Sequence, residues 1–157
     1  MCECQDLVER FREGATAVKT AVLGLRDGEA DACEGPGEWT VRQIVHHLAD
    51  TELMRGARLF QLLVDDQPTI QGFDEGALAR RLHYERDIQS SVAAFCALRE
   101  SLASLVEQLS DKEWSRGGLH SEISPYTVET VIRRGIDHVR EHTEQIRRAR
   151  SRWASAA

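Results

Sequence analysis

Proline is scarce in this chain, with three residues in 157. No run of β-branched residues stands between turn signals, so strands have little to form from and an all-α chain is expected. No apolar stretch approaches the ~20 residues that cross a bilayer, and the N-terminus has no signal-peptide core. Neither export nor a membrane partner is therefore expected. Cysteine is sparse, at Cys2, Cys4, Cys33 and Cys96, with no Cys-x-x-Cys. Cys2 and Cys4 stand too close to staple a fold, which points to a reduced, cytoplasmic protein. Cys2-x-Cys4 could bind metal or could simply be a frayed terminus. Cys96 reads as packing. Positive charge is also in deficit. The formal net charge is −6, which gives no general attraction for phosphate backbones and speaks against a nucleic-acid partner. The local exception is Arg147, Arg148, Arg150 and Arg152. It reads as cations complementing the end of a helix dipole.

What is present is helical periodicity, in a length that suits one domain over 1–157. Four long helices are predicted, over about 6–26, 40–65, 87–109 and 125–152. Thr40 and Gln43 form a capping box at the start of the second, with Trp39 just before the cap. Ser110 to Glu113 resembles another box, opening about one turn. Ser124-Pro125 is expected to start the last helix, with serine at the cap and proline inside it. Arg116 to Ser124 reads as loop. The 66–86 connection is too long for a simple hairpin of helices. It predicts a crossover that leaves helices two and three parallel, with one short helix near Ala77–Leu82. Gly135 lies on the core stripe of the last helix, where its use would be close approach or room for a ligand.

Chemistry gathers at the histidines. His138 and His142 are four apart, on one helix face, a spacing at which two imidazoles can hold one metal ion. Such a pair can also be an accident of composition. With about 100° per residue, His46 points about 160° from the apolar centre of the second helix, to solvent, and His47 lies about 100° away, on its flank. His138 and His142 lie about 80° and 40° from the stripe of their helix. His47, His138 and His142 are thus the set that can meet. Three neutral imidazoles suit zinc, nickel, copper or iron and leave a coordination position open. His83 and His120 read as loop residues, although His120 would reach the site if its loop folds over the bundle end. Thr51, Glu52, Arg55 and Arg58 put a polar centre on or beside the buried stripe of the second helix. That implies either a pocket or a Glu52–Arg55 ion pair at the bundle edge.

The segment from Pro36 to Thr51, with Trp39-Thr40-Val41-Arg42-Gln43 and His46-His47-Leu48-Ala49-Asp50, is specific. With Pro68-Thr69-Ile70, Asp74-Glu75 and His138-x3-His142-x3-Ile146 it resembles the DinB/YfiT-like family of helical-bundle metalloproteins, over residues 6–150. The resemblance implies a four-helix bundle of up-down-down-up topology. It implies a metal, nickel or zinc, held by His47, His138 and His142, and a homodimer. It further implies transfer of a low-molecular-weight thiol such as bacillithiol, mycothiol or glutathione to an electrophilic small-molecule substrate. From the polar centre of the second helix, Glu52, Arg55 and Arg58 are the candidates for substrate contact or proton transfer, with Glu52 and Arg55 as the candidate catalytic residues. The alternatives are a metal-dependent hydrolase and a non-catalytic stress-related metal-binding module. The chain departs from the pattern at His120-Ser121, at Ala77-Leu78-Ala79 and at Thr143-Glu144-Gln145, so the pocket lining differs from that of relatives.

Overall fold

The computed structural model describes residues 3–26 and 28–156. Cys2, half of the Cys2-x-Cys4 motif, lies outside them. Four long helices form the body: α1 (Glu3–Val22), α2 (Val41–Val64), α4 (Gln89–Val106) and α6 (Val128–Ala156). Two short helices, α3 (Glu75–Arg81) and α5 (Asp111–Trp114), lie in the connections. Three short strands, β1 (Thr69–Ile70), β2 (Gly117–His120) and β3 (Tyr126–Thr127), complete the chain.

Contacts between side chains fix the helix directions. Phe11 and Gly14 meet Gly135 and Val139, and Arg150 reaches Ala21, so α1 and α6 run parallel. His46 meets Ser91, Glu52 meets Arg99 and Gly56 meets Leu102, so α2 and α4 run parallel. Arg55 bonds Val131 while His47 meets His138, so α2 and α6 run antiparallel. The bundle is up-down-down-up, and the long connection is the crossover expected from its length.

Local chemistry sets the helix ends. Gln43 N donates to Thr40 Oγ1 at 3.2 Å and Thr40 N donates to Gln43 Oε1 at 3.0 Å, which is the reciprocal capping box. Asp74 caps α3 through Ala77 N at 2.8 Å. The last helix departs from expectation. It begins at Val128, not at Pro125, because Tyr126 and Thr127 are drawn into β3. Thr127 Oγ1 then accepts from Thr130 N. The expected loop from Arg116 to Ser124 contains β2, which pairs parallel with β1 and antiparallel with β3. A side chain at Gly118 would collide with Pro68 O at 2.5 Å, so only glycine admits this strand contact. Among the four arginines of the tail, Arg148 pairs with Glu34 and Arg150 with Glu29, while Arg150 Nη1 also holds Ala21 O at 2.7 Å. Their charge pins the α1–α2 connection and caps α1; it does not merely answer the dipole of α6.

Two apolar clusters fill the bundle. One gathers Leu7, Phe11, Leu59, Leu102, Val106 and Ile132, the other Val18, Ile44, Leu48, Phe95, Val139 and Ile146. Between them lies a polar layer. Glu52 Oε2 accepts from Arg99 Nη2 at 2.7 Å and from Arg55 Nε at 3.2 Å. Arg99 is fully buried, its guanidinium 3.9 Å from the Phe11 ring centre. Burial lowers the pKa of Arg99 to about 10, still high enough to keep it charged at neutral pH. Gly135 belongs to this layer. A Cβ there would stand 2.9 Å from Phe11 Cε2 and 3.0 Å from Arg55 Nε, so the glycine provides close approach.

Candidate metal centre

His47 projects from α2 one turn before this polar layer, and His138 and His142 project from α6 across from it. Their candidate ligand nitrogens all lie within 4.8 Å of one another. The ring centres are 4.9 Å apart for His47–His138, 4.9 Å for His47–His142 and 4.5 Å for His138–His142. Each pair is edge-on, so the three rings converge on a common point. Imidazole nitrogens sharing a tetrahedral ion stand about 3.3 Å apart.

The protonation pattern fits a cation. His47 Nε2 and His138 Nε2 are 2.9 Å apart, so one of them must carry the shared proton. His47 Nδ1 is buried and finds no partner among the described residues. Whichever tautomer is chosen, one buried nitrogen of His47 stays unsatisfied, a cost of about 1–3 kcal/mol. A cation taking ring lone pairs answers a cluster that protons alone satisfy poorly. Burial, followed by the neighbouring His142, lowers the pKa of His47 to about 3 and that of His138 to about 2. Both rings are therefore neutral, the form that binds metal. His142 Nδ1 is 2.9 Å from Gln145 Oε1. Because an amide oxygen only accepts, this contact places the proton on Nδ1 and frees Nε2 to ligate.

Trp39 closes one side. Its ring lies edge-on to His47 at 4.8 Å and parallel to His142 at 6.5 Å. The residue expected only to steer the chain into α2 is thus also a wall of the centre. On the other side His138 opens onto a cavity of about 100 Å³ lined by Thr51, Arg55, Arg58, Phe73, Glu75, Tyr126 and Arg134. A larger groove of about 690 Å³ between Thr69–Asp74 and Leu119–Glu122 adjoins it and shares Phe73.

The structure brings His47, His138 and His142 together as expected and leaves His46 out. The expected direction of His46 is corrected. It is fully buried, with Nδ1 2.8 Å from Ser91 Oγ and Nε2 3.0 Å from Arg86 O. The crossover and the start of α4 cover the face that an isolated α2 would turn to water. His120 does not join the centre; its Nδ1 accepts from Glu122 N and its ring packs at a tilt against Tyr126, with ring centres 4.5 Å apart. Glu52 and Arg55 are paired as anticipated, but in the bundle interior, with Arg99 as a second partner. Arg55 lines the cavity beside His138, and Glu52 lies beneath it. Sequence reasoning missed Arg99 and Gln145. The signal for Arg99 was its position four after Phe95 and three before Leu102, on the buried stripe. The signal for Gln145 was its position three after His142 on the same helix face.

Fold and site together define a helical-bundle protein with a three-histidine candidate metal centre. The sequence profile of the DinB superfamily matches residues 10–146, and the chain belongs to that superfamily. A protein of Oceanobacillus iheyensis, named as a candidate metal-dependent hydrolase, is 30% identical over 129 residues, covering 82% of this chain and 75% of the relative. YfiT of Bacillus subtilis carries the same description and is 28% identical over 141 residues, 88% of this chain and 79% of YfiT. The solved structure of YfiT, described as an unusual four-helix bundle, matches with a TM-score of 0.90 over 97% of this chain and 88% of that one, at 27% identity. Among the described residues no helix is long and apolar enough to cross a membrane.

Proposed function

We propose that the chain is a metal-dependent enzyme that activates a small nucleophile, a low-molecular-weight thiol, for attack on an electrophilic substrate. The observation that carries this reading is the convergence of His47, His138 and His142 beside a cavity onto which His138 opens. The three imidazoles would hold a divalent ion, for which nickel and zinc suit the donor set. When bound, the ion would act as a Lewis acid that depresses the pKa of a thiol or of water. Arg55, held by Glu52 and by Val131 O, would orient the substrate. Tyr126 and Phe73 supply the aromatic part of the cavity wall.

The lining favours a thiol over water. Glu52 is committed to two arginines, and Glu75, the other nearby carboxylate, stands exposed on the rim. A thiol, with an unperturbed pKa near 8.5, needs no strong general base. Water, with a pKa of about 15.7, starts far less acidic and gains more from a base placed beside the ion. Hydrolysis is the second reading. It is favoured by the description that relatives such as YfiT carry, with Glu75 as the carboxylate to receive a proton. Turnover of electrophilic and hydrolysable substrates, with and without added thiols, on metal-loaded protein and on His142→Ala separates these cases. Thiol-dependent turnover lost in His142→Ala is expected. Thiol-independent turnover would establish the hydrolase, and metal binding without any turnover would leave a non-catalytic metal-binding module.

We also propose a homodimer through the face shared by α2 and α4. Leu53, Ala57, Phe60 and Val64 make an exposed apolar seam on α2. The adjoining flank of α4 carries Ala94, Leu98, Ser101 and Leu105. Neither flank bears a charge, so a second copy of this acidic chain can approach here without like-charge repulsion. Sedimentation velocity should show a dimer that Phe60→Glu converts to monomer; a wild-type monomer at tens of micromolar overturns the proposal.

A further inference from the structure

We infer that the cavity beside His138 is an anion subsite, in which Arg58 and Arg134 select substrates bearing a carboxylate or phosphate group. This deepens the catalytic reading above and rests on it for the word substrate, but the binding it asserts needs no metal.

The argument begins with charge. The chain is net acidic, yet Arg55, Arg58 and Arg134 converge on a space of about 100 Å³. The carboxylate in its lining is Glu75, on the exposed N-terminal turn of α3. Glu52 lies deeper and is shared between Arg55 and Arg99, so it offsets part of that charge and leaves the rest uncompensated. Arg58 and Arg134 form no ion pair among the described residues. Arg58 Nη2 donates to Gln71 O at 2.7 Å, and its guanidinium lies 5.0 Å from the Phe73 ring centre. Three cations that face one exposed carboxylate and a Glu52 shared with Arg99 are under-compensated and repel one another, and an anionic ligand relieves that cost.

Geometry gives the rest. Arg58 is held by a backbone carbonyl and an aromatic face, and Arg55 by Glu52 and Val131 O, so two of the three guanidinium groups are pre-ordered. Fixed forks of this kind suit planar carboxylate and phosphate oxygens. The cavity is too small for a whole substrate and takes one head group. The remainder would extend past Phe73 into the adjoining groove of about 690 Å³, where Phe73 and Leu119 offer apolar surface and Asp74 and Glu122 would disfavour a second anion. The inferred substrate class is thus a molecule with one anionic head next to its reacting centre and a neutral or cationic tail.

Inorganic phosphate is the probe. Titration calorimetry is run on the protein as purified and again after chelation, with metal content measured in parallel. Wild-type protein is expected to bind phosphate in both forms. Arg58→Gln/Arg134→Gln is expected to weaken it by at least about tenfold, the scale of a lost charge-assisted hydrogen bond. Arg148→Gln, on the distant tail, should leave it unchanged. Arg134→Gln alone, on the exposed rim, keeps the test decisive if the Arg58 change disturbs the loop. No phosphate binding by chelated wild type, or equal binding by wild type and Arg134→Gln, overturns the inference. Phosphate binding by a protein that takes up no nickel or zinc even when the metal is added would defeat the catalytic reading and leave the subsite standing.

Discussion

At the scale of single residues, the centre is a set of bases kept from their protons. His47 and His138 are neutral when folded, with pKa values lowered by burial to about 3 and about 2, against about 6.5 when unfolded. The unfolded chain therefore binds more protons below pH 6.5, and stability falls as pH drops through that value. Each histidine contributes about 1.4 kcal/mol per pH unit below it, so the pair should cost the chelated protein about 2–3 kcal/mol between pH 7 and pH 5.5. His46, also lowered chiefly by burial, acts in the same direction. Glu29, whose pKa is lowered from 4.5 by hydrogen bonds from Arg26 and Arg150, acts only in a more acidic window. Urea midpoints at the two pH values test this; a flat midpoint contradicts it. Gln145→Ala removes the acceptor that fixes the His142 tautomer. Metal affinity should fall by about 10–100-fold, read by competition with a chromophoric chelator, while urea stability of the chelated protein stays near wild type. The choice of His47 over His46 was legible because it needs only the angular step of a helix. The burial of His46 was not, since Arg86 and Ser91 reach it from forty and more residues away.

At the scale of elements, the four helices were readable because each carries its own stripe and its own ends. The Thr40–Gln43 box is local and was found as such. The small sheet was not legible: strands of two to four residues leave no alternation to detect, and their pairing joins segments far apart in sequence. It also overrode a sound local signal at Ser124-Pro125, moving the start of α6 to Val128. Gly135 shows where a helix yields to its neighbours. Alanine there would gain about 1 kcal/mol of intrinsic helix propensity. Its Cβ would overlap Phe11 and Arg55, and overpacking of this kind costs about 1–3 kcal/mol. Gly135→Ala should therefore unfold at lower urea than wild type and bind metal and phosphate differently through the displaced Arg55. An increase in stability would show that the polar layer is slack.

Across the whole molecule, a polar layer divides two apolar clusters, and the candidate centre is built against it. The crossover that makes α2 and α4 parallel was foreseen from its length, whereas the burial of Arg99 was not, because a lone arginine on a helix ordinarily reads as solvated. Three tryptophans sample separate parts of this plan. Trp114 is buried in the cluster of Leu7 and Val106, Trp153 lies under Arg26 with the guanidinium 4.4 Å from its ring centre, and Trp39 touches two of the three histidines. Reduced to Trp39 by Trp114→Phe and Trp153→Phe, the chain becomes its own optical sensor. Indole emission should be quenched stoichiometrically as nickel is added and restored by chelator, with no response in His142→Ala. An unchanged spectrum at saturating nickel would place the ion elsewhere. The ring that guides the chain into α2 thereby offers a direct readout of occupancy in a protein whose substrate need not be known to use it.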